Sequence, residues 1–162
     1  NVRNYLALVG PECKELDGIL GYYGEQLMLL AQSLGLNSCW VGGTYKVVNR
    51  AYNVDLGQKL AAVIALGYGT TQGVPHRSKA PQAVVPGYDG APEWFKRGVD
   101  AALLAPTALN QQKFSFSLDG EVGDVPVVRA STRRGAFAQM DLGIAQCHFE
   151  IGAGPALYRW AE

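Results

Sequence analysis

The sequence predicts an α+β protein built from two similar halves, and three observations lead to this prediction. Short apolar runs of strand length alternate with longer stretches whose apolar residues recur at three- and four-residue steps, the spacing of a helix with one buried face. A strand followed by a helix opens the chain, and a similar pair closes it. With 162 residues, 48% of them hydrophobic, the chain has enough apolar material for one globular core.

The first strand and the first helix are predicted near the start of the chain. Residues 5–10 form an uninterrupted apolar run that is typical of a buried strand. The stretch 21–35 predicts a helix, which Gly35 would end by adopting a left-handed conformation. Its predicted buried face consists of Tyr23, Leu27, Leu30, Ala31 and Leu34.

Two further strands complete the predicted first half. Residues 38–41 form a short apolar strand that stops at Gly42 and Gly43. Residues 60–68 are almost entirely apolar, as in a central strand that is covered on both faces. Residues 69–90 contain several prolines and glycines, and we interpret them as a linker.

The second half is predicted to begin with a helix. Asp89 would cap this helix, Pro92 would lie in its first turn, and Pro106 would end it. Its predicted inner face consists of Phe95, Val99, Ala102 and Leu103.

A strand pair, residues 113–118 and 126–130, and a closing helix, residues 140–154, follow. In both this helix and the first one, two glycines stand eleven residues apart, at positions 24 and 35 and at positions 143 and 154. The repeated order and spacing favour two half-domains, residues 1–85 and 86–162, that together form one globular domain, with chance similarity as the alternative.

Composition and charge exclude several classes of partner. Fourteen basic residues balance fourteen acidic ones, so nucleic acid or an anionic membrane would find no excess of positive charge. The longest apolar run is far too short to span a bilayer, and no signal peptide opens the chain. Three widely spaced cysteines predict buried, reduced thiols rather than a disulfide framework. We therefore expect a soluble, cytoplasmic protein.

The start of the chain is unusual. Residues 1–4 contain no methionine and lead directly into the first predicted strand. We therefore expect that a segment upstream of this strand is missing.

Three segments resemble the FMN-dependent nitroreductase family, specifically its branch with two half-domains in one chain. Residues 24–43 look like the family's central helix and the glycine-containing flavin loop after it. Residues 105–114 look like its Ala-Pro-Ser-x-x-Asn-x-Gln-Pro-Trp segment, with Lys113-Phe114 in place of Pro-Trp. Residues 141–150 are similar to its closing helix. The family's opening Arg-Arg-Ser-x-Arg segment, which holds the flavin phosphate and ribityl chain, is absent.

The resemblance implies a nitroreductase-like fold, with a mixed, mostly antiparallel sheet flanked by helices in two pseudo-symmetric halves. It also implies that the chain is a flavin-binding domain with oxidoreductase activity. NADH or NADPH would reduce FMN and leave, and a small-molecule acceptor (a nitroaromatic, a quinone or an enone) would then take the hydride in a ping-pong reaction. The expected assembly is a monomeric pseudo-dimer or a homodimer.

The resemblance also assigns cofactor-binding residues in three places. Trp40, Gly42 and Gly43 would lie along the flavin ring, because glycine lets the backbone approach a flat ring closely; a plain turn is the alternative. Arg77 and Lys79 would reach the flavin phosphate, unless they belong to a solvated basic loop. The ring would be contacted from the opposite half by Pro106, Thr107, Asn110 and Gln112, unless Pro106 only ends a helix.

No residue stands out as a catalytic acid, base or metal ligand. Cys147 and His148 are adjacent, but no second ligand pair accompanies them. Asp141 and Glu150 are nine residues apart on one predicted helix, too far to form a carboxylate pair. The alternative to an enzyme is a non-catalytic flavin-binding or interaction protein on the same scaffold.

Overall fold

The computed structural model describes residues 3–48, 50–154 and 158–161. Over these residues the chain forms three α-helices and six β-strands, together with three short 3-10 turns. In chain order they are β1 (Asn4–Pro11), α1 (Leu16–Ser33), β2 (Asn37–Val41), β3 (Gln58–Gly67), α2 (Glu93–Ala102), β4 (Phe114–Val122), β5 (Val125–Thr132), α3 (Ala138–Ala153) and β6 (Arg159–Trp160).

The first sheet has the order β1-β3-β2, and both pairs are antiparallel. The predicted central strand is confirmed, since β3 lies between the other two and Ala62, Val63 and Ile64 are buried. Ile64 faces Leu6 on one side and Trp40 on the other. This register carries Trp40 to the end of β2, where the chain leaves the sheet.

The second sheet has the order β4-β5-β6. The predicted strand pair is confirmed, because β4 and β5 pair antiparallel and Phe114 and Phe116 are both buried. Strand β6 was not predicted, and its two residues pair in parallel with β5. A run of two residues carries no strand periodicity that a sequence could reveal.

Helices α1 and α3 pack against each other through glycines. A methyl group added at Gly21 would overlap the carbonyl oxygen of Met140, and one added at Gly143 would overlap the carbonyl oxygen of Gly18. The two backbones therefore touch, which only residues without a side chain permit.

This close packing corrects the predicted buried face of α1. Only Ala31 of that face is buried, whereas Tyr23, Leu27, Leu30 and Leu34 are between 41% and 66% exposed. The prediction assumed that the largest apolar side chains face the core. The helix instead turns its glycine-containing side to α3, and the apolar stripe lies on the outer face.

The inner face of α2 is confirmed, since Phe95, Val99, Ala102 and Leu103 are all buried. The predicted cap is wrong: Pro92 precedes the first helical residue, and Asp89 accepts a hydrogen bond from Gln82 Nε2 at 2.9 Å. Asp89 lies instead in a short 3-10 turn, Tyr88–Gly90, that ends before the helix begins.

The predicted linker is anchored at its end, because Val84 and Val85 are buried and the carbonyl of Val84 accepts the N–H of Phe116 at 3.0 Å. The prediction of three buried thiols is also corrected: Cys147 is buried, but Cys13 and Cys39 are exposed. In the described part of the chain, no helix is both long enough and apolar enough to cross a membrane.

Candidate functional site

A cleft of about 590 Å³ lies between the end of the first sheet and the segment that follows α2. One side, which we call the strand wall, is formed by residues 38–40 and 42–44. A second part of the lining, the loop wall, is formed by residues 106–109 and Gln111. Residues near the start of α3 also line the cleft, among them Met140, Asp141 and Ile144.

The strand wall depends on two glycines with different surroundings. A methyl group at Gly42 would overlap the ring of Phe137, which packs directly on the glycine backbone. A methyl group at Gly43 would meet no atom within 4 Å. Gly42 is therefore required by packing, whereas Gly43 leaves open space at the cleft.

Trp40 is fixed in the strand wall at two points. Its six-membered ring lies on Gly24 of α1, where a methyl group would overlap it. Its indole Nε1–H donates to Glu25 Oε2 at 3.0 Å. Glu25 is only 2% exposed, and its other oxygen accepts from His148 Nε2 at 2.8 Å.

The loop wall has an unusual backbone. Leu109, Asn110 and Gln112 have φ angles of 51°, 52° and 42°, in the left-handed region that side chains other than glycine rarely adopt. Leu109 is 99% exposed, so burial of its side chain does not compensate for this strain.

Asp141 holds the loop wall in this conformation. Its Oδ1 accepts the N–H of Ala108 at 2.8 Å, and its Oδ2 accepts from Gln111 Nε2 at 2.6 Å. Burial raises the pKa of Asp141, and the two hydrogen bonds oppose that shift because they favour the ionised form. A buried carboxyl group thus lies at the cleft and links α3 to the loop wall.

Five of the nine predicted cofactor-binding residues line the cleft: Trp40, Gly42, Gly43, Pro106 and Thr107. They come from both predicted halves of the chain. Among them, Thr107 is buried, and its hydroxyl oxygen accepts the N–H of Gln112 at 3.0 Å.

The other four lie outside the lining of the cleft and fasten the back of the loop wall. Asn110 Nδ2 and Gln112 Nε2 both donate to the carbonyl of Arg77 at 2.9 Å. Lys79 Nζ donates to the carbonyls of Gln111 and Gln112, at 2.9 and 2.7 Å. Burial, followed by the positive charges of Arg133 and Lys113, lowers the pKa of Lys79.

Four residues of the site were not predicted from the sequence: Glu25, Leu109, Phe137 and Asp141. Each carboxylate had a visible signal, since it stands in an otherwise apolar stretch of a helix, where a buried charge requires partners. Asp141 was considered only as half of a pair with Glu150. Leu109 and Phe137 gave no signal, because an apolar residue with positive φ looks like any other in a sequence.

The family model described as "Putative TM nitroreductase" matches residues 1–153. The chain is also similar to the crystal structure of a putative nitroreductase from Thermotoga maritima, with a TM-score of 0.68 and 21% sequence identity. The alignment covers 94% of this chain and 61% of the Thermotoga chain. A search of curated proteins found no match.

Proposed function

Since this chain belongs to the putative TM nitroreductase family, we propose that it is an FMN-dependent oxidoreductase that uses NADH or NADPH to reduce a small-molecule acceptor. Nitroaromatics, quinones and enones are the proposed acceptors. The proposed setting is the cytoplasm, which agrees with three cysteines that form no disulfide. The proposed assembly is a pseudo-dimer of two similar halves, or a homodimer.

The observation that carries this proposal is the cleft itself. Its volume of about 590 Å³ falls within the range of roughly 300–1,000 Å³ that is usual for small-molecule sites. Aromatic and aliphatic side chains supply most of the lining, including Trp40, Phe137 and Met140. Gly43 leaves space beside the strand wall that any side chain would fill. These features fit a flat, mostly apolar ring such as the flavin isoalloxazine.

In the proposed complex, the strand wall contributes the backbone of Gly42 and Gly43, and the loop wall contributes Pro106 and Thr107. A backbone N–H of the glycine pair would donate to the edge of the ring. Asn110 and Gln112 would act from behind, by holding the loop wall against Arg77. Arg77 and Lys79 are the proposed partners of the phosphate group, which would extend beyond the cleft lining to reach them. The ammonium of Lys79 would use its third N–H for the phosphate, since the other two donate to the carbonyls of Gln111 and Gln112.

The chemistry that bound FMN supplies is two-electron transfer, from a nicotinamide to the acceptor, in two successive half-reactions. The protein's own task is to bind and orient both substrates at one exposed face of the ring. Leu109, which is almost fully exposed at the rim of the cleft, would contact whichever substrate is bound. We assign no side chain as an acid or base, since water can protonate the product.

Absorption spectroscopy of the purified chain, after incubation with FMN, tests this proposal. The expected result is a flavin spectrum that remains after removal of unbound FMN and that bleaches anaerobically on addition of NADH or NADPH. Flavin that binds but stays oxidised with both nucleotides would instead favour a non-catalytic flavin-binding protein. A chain that retains no FMN would overturn the proposal.

A further inference from the structure

Two tryptophans are held by buried or half-buried carboxylates at the interface between α1 and α3. Trp40 Nε1 donates to Glu25 on α1 at 3.0 Å, and Trp160 Nε1 donates to Glu150 on α3 at 2.7 Å. Each carboxylate has a second partner: His148 donates to Glu25, and the hydroxyl of Tyr22 donates to Glu150. The two arrangements are chemically alike.

The two tryptophans differ in what their rings contact. Trp160 packs among aromatic side chains, with ring centroids 5.4 Å from Phe149 and 5.2 Å from Tyr158. Trp40 lines the cleft. A change in the orientation of Trp160 would therefore disturb the aromatic core, whereas a change in the orientation of Trp40 would alter the shape of the cleft.

Two neighbouring residues of α1 contact the indole of Trp40. Gly24 supports its six-membered ring, and Glu25 holds its Nε1–H. Glu25 can keep this orientation only if its own carboxylate is fixed, and the bond from His148 on α3 fixes it. A buried carboxylate without partners is strongly unfavourable, so both bonds are required together.

We propose that Glu25, held by His148, is a positioning residue that fixes the indole of Trp40 in the strand wall and thereby sets the shape of the flavin cleft. This inference rests on the proposed function, because it takes a flat flavin ring as the molecule that the wall must fit. It assigns a role to Glu25 and His148, which lie behind the strand wall.

The simpler interpretation is that Glu25 and His148 only join α1 to α3. That role predicts a loss of stability without a specific effect on ligand affinity. Glu150 provides the matched control, because it joins the same two helices and bonds an indole that does not line the cleft. Comparing equivalent substitutions at the two positions separates positioning from simple bridging.

The test uses the full chain with Glu25→Gln and Glu150→Gln, and three measurements. The first is the indole N–H signal of each tryptophan in a ¹H–¹⁵N spectrum without ligand. The second is the Kd for FMN, from quenching of flavin fluorescence. The third is the midpoint of urea unfolding. Glutamine keeps one acceptor oxygen, so only one of the two donors facing position 25 keeps its bond, and the fold is retained.

For Glu25→Gln, we expect a shifted Trp40 indole signal and an FMN Kd raised about tenfold, as the loss of one charge-assisted hydrogen bond implies. For Glu150→Gln, we expect a shifted Trp160 signal and an FMN Kd within about twofold of wild type. The midpoint of urea unfolding should change by a similar amount in Glu25→Gln and in Glu150→Gln. Equal effects of the two substitutions on FMN affinity would overturn the inference.

A double-mutant cycle removes the remaining ambiguity. Trp40→Phe keeps an aromatic ring in the wall but removes the N–H that Glu25 accepts. In this background Glu25→Gln should leave the FMN Kd unchanged, because its effect passes through the indole. A further tenfold loss would contradict positioning through Trp40.

The outcomes also separate the two proposals. If wild type binds FMN and Glu25→Gln alters neither the Trp40 signal nor the Kd, the inference fails while the proposed function stands. If wild type retains no FMN, the proposed function fails and the inference falls with it.

Discussion

The two walls of the cleft are held by similar means but built in different ways. The strand wall follows directly from β2 and gains its shape from two glycines. The loop wall contains residues with positive φ, and hydrogen bonds to Asp141 and Arg77 maintain it. A buried carboxylate supports each wall: Glu25 lies behind the strand wall, and Asp141, which itself lines the cleft, holds the loop wall.

The strand wall is therefore shaped mainly by regular secondary structure. The loop wall is shaped by hydrogen bonds from residues that are distant in the sequence. Residues 38–40 of the strand wall would keep their backbone course if one side chain were changed, because β2 is paired with β3 along its length. The loop wall has no such support. Its conformation depends on bonds between residues about thirty positions apart in the chain, such as Ala108 and Asp141.

The largest expected effect comes from removing the support of the loop wall. Asp141→Ala deletes both acceptors, for the N–H of Ala108 and the amide of Gln111. We expect a loss of about 2–3 kcal/mol in the free energy of unfolding, measured by urea denaturation. FMN affinity should fall as well. Asp141→Asn keeps one acceptor oxygen and should lose about half as much; equal stability of all three proteins would show that Asp141 does not hold the loop.

The same carboxyl group makes stability depend on pH. Because burial raises the pKa of Asp141 in the folded chain above its ordinary value of 3.8, the folded state binds this proton more tightly than the unfolded state does. The contribution to stability is therefore fully present below pH 3.8 and is lost as the pH rises through the raised value. The difference in unfolding free energy between wild type and Asp141→Asn should follow this course. A difference that grows in favour of wild type as pH rises through that window would contradict it.

A smaller loss is expected at the strand wall. Gly42→Ala places a methyl group against the ring of Phe137, so we expect a loss of about 1–2 kcal/mol in the free energy of unfolding. Combining it with Phe137→Ala should abolish this loss, relative to Phe137→Ala alone, because the obstructing ring is gone. Additive losses in thermal or urea unfolding would show that another contact is responsible.

Leu109→Gly should weaken FMN binding without lowering the stability of the fold. Glycine adopts a positive φ without strain, so the free energy of unfolding should be retained or should rise by up to about 1 kcal/mol. FMN affinity should fall, because the side chain that lines the cleft is lost. Leu104→Gly is the matched control: this leucine is also exposed, lies outside the cleft lining, and has no positive φ. It should lower stability slightly and leave affinity unchanged.

The smallest effect on stability is expected for Gly43→Ala. The added methyl group meets no atom within 4 Å, and the backbone at this position does not have a positive φ. The free energy of unfolding should therefore change by less than about 0.5 kcal/mol. The Kd for FMN should nevertheless rise, since the methyl group occupies space beside the strand wall. An unchanged Kd in the same fluorescence assay would mean that no ring approaches Gly43.

The elements of the fold could be predicted largely from the sequence because apolar runs and glycines mark them. Strands β1 to β5 and the inner face of α2 follow from local periodicity. The buried face of α1 could not be predicted in this way. Contact between Gly21 and α3 decides it, and that contact is a property of the pair of helices rather than of either sequence stretch. The proposed similarity of the two halves stays a prediction. Among the residues that the structure describes, the second sheet contains a parallel pair, whereas both pairs of the first sheet are antiparallel.

The same distinction applies to the candidate site: residues marked by the local sequence could be predicted, and residues positioned by distant contacts could not. Gly42 and Gly43 could be selected because two glycines after a strand are visible in the sequence. The orientation of Asn110 and Gln112 toward Arg77 could not, because it depends on the left-handed turn between them and on a segment more than thirty residues earlier. The residues on either side of Asn110 line the same cleft as Gly43, whereas the amide of Asn110 bonds the carbonyl of Arg77 outside the lining.

A crystal structure of the chain grown with FMN tests the central claim most directly. The account predicts that the isoalloxazine ring lies in the cleft, with the backbone of Gly43 on one side and the loop wall, from Pro106 to Leu109, on the other. A flavin bound elsewhere on the chain, with the cleft unoccupied, would contradict it.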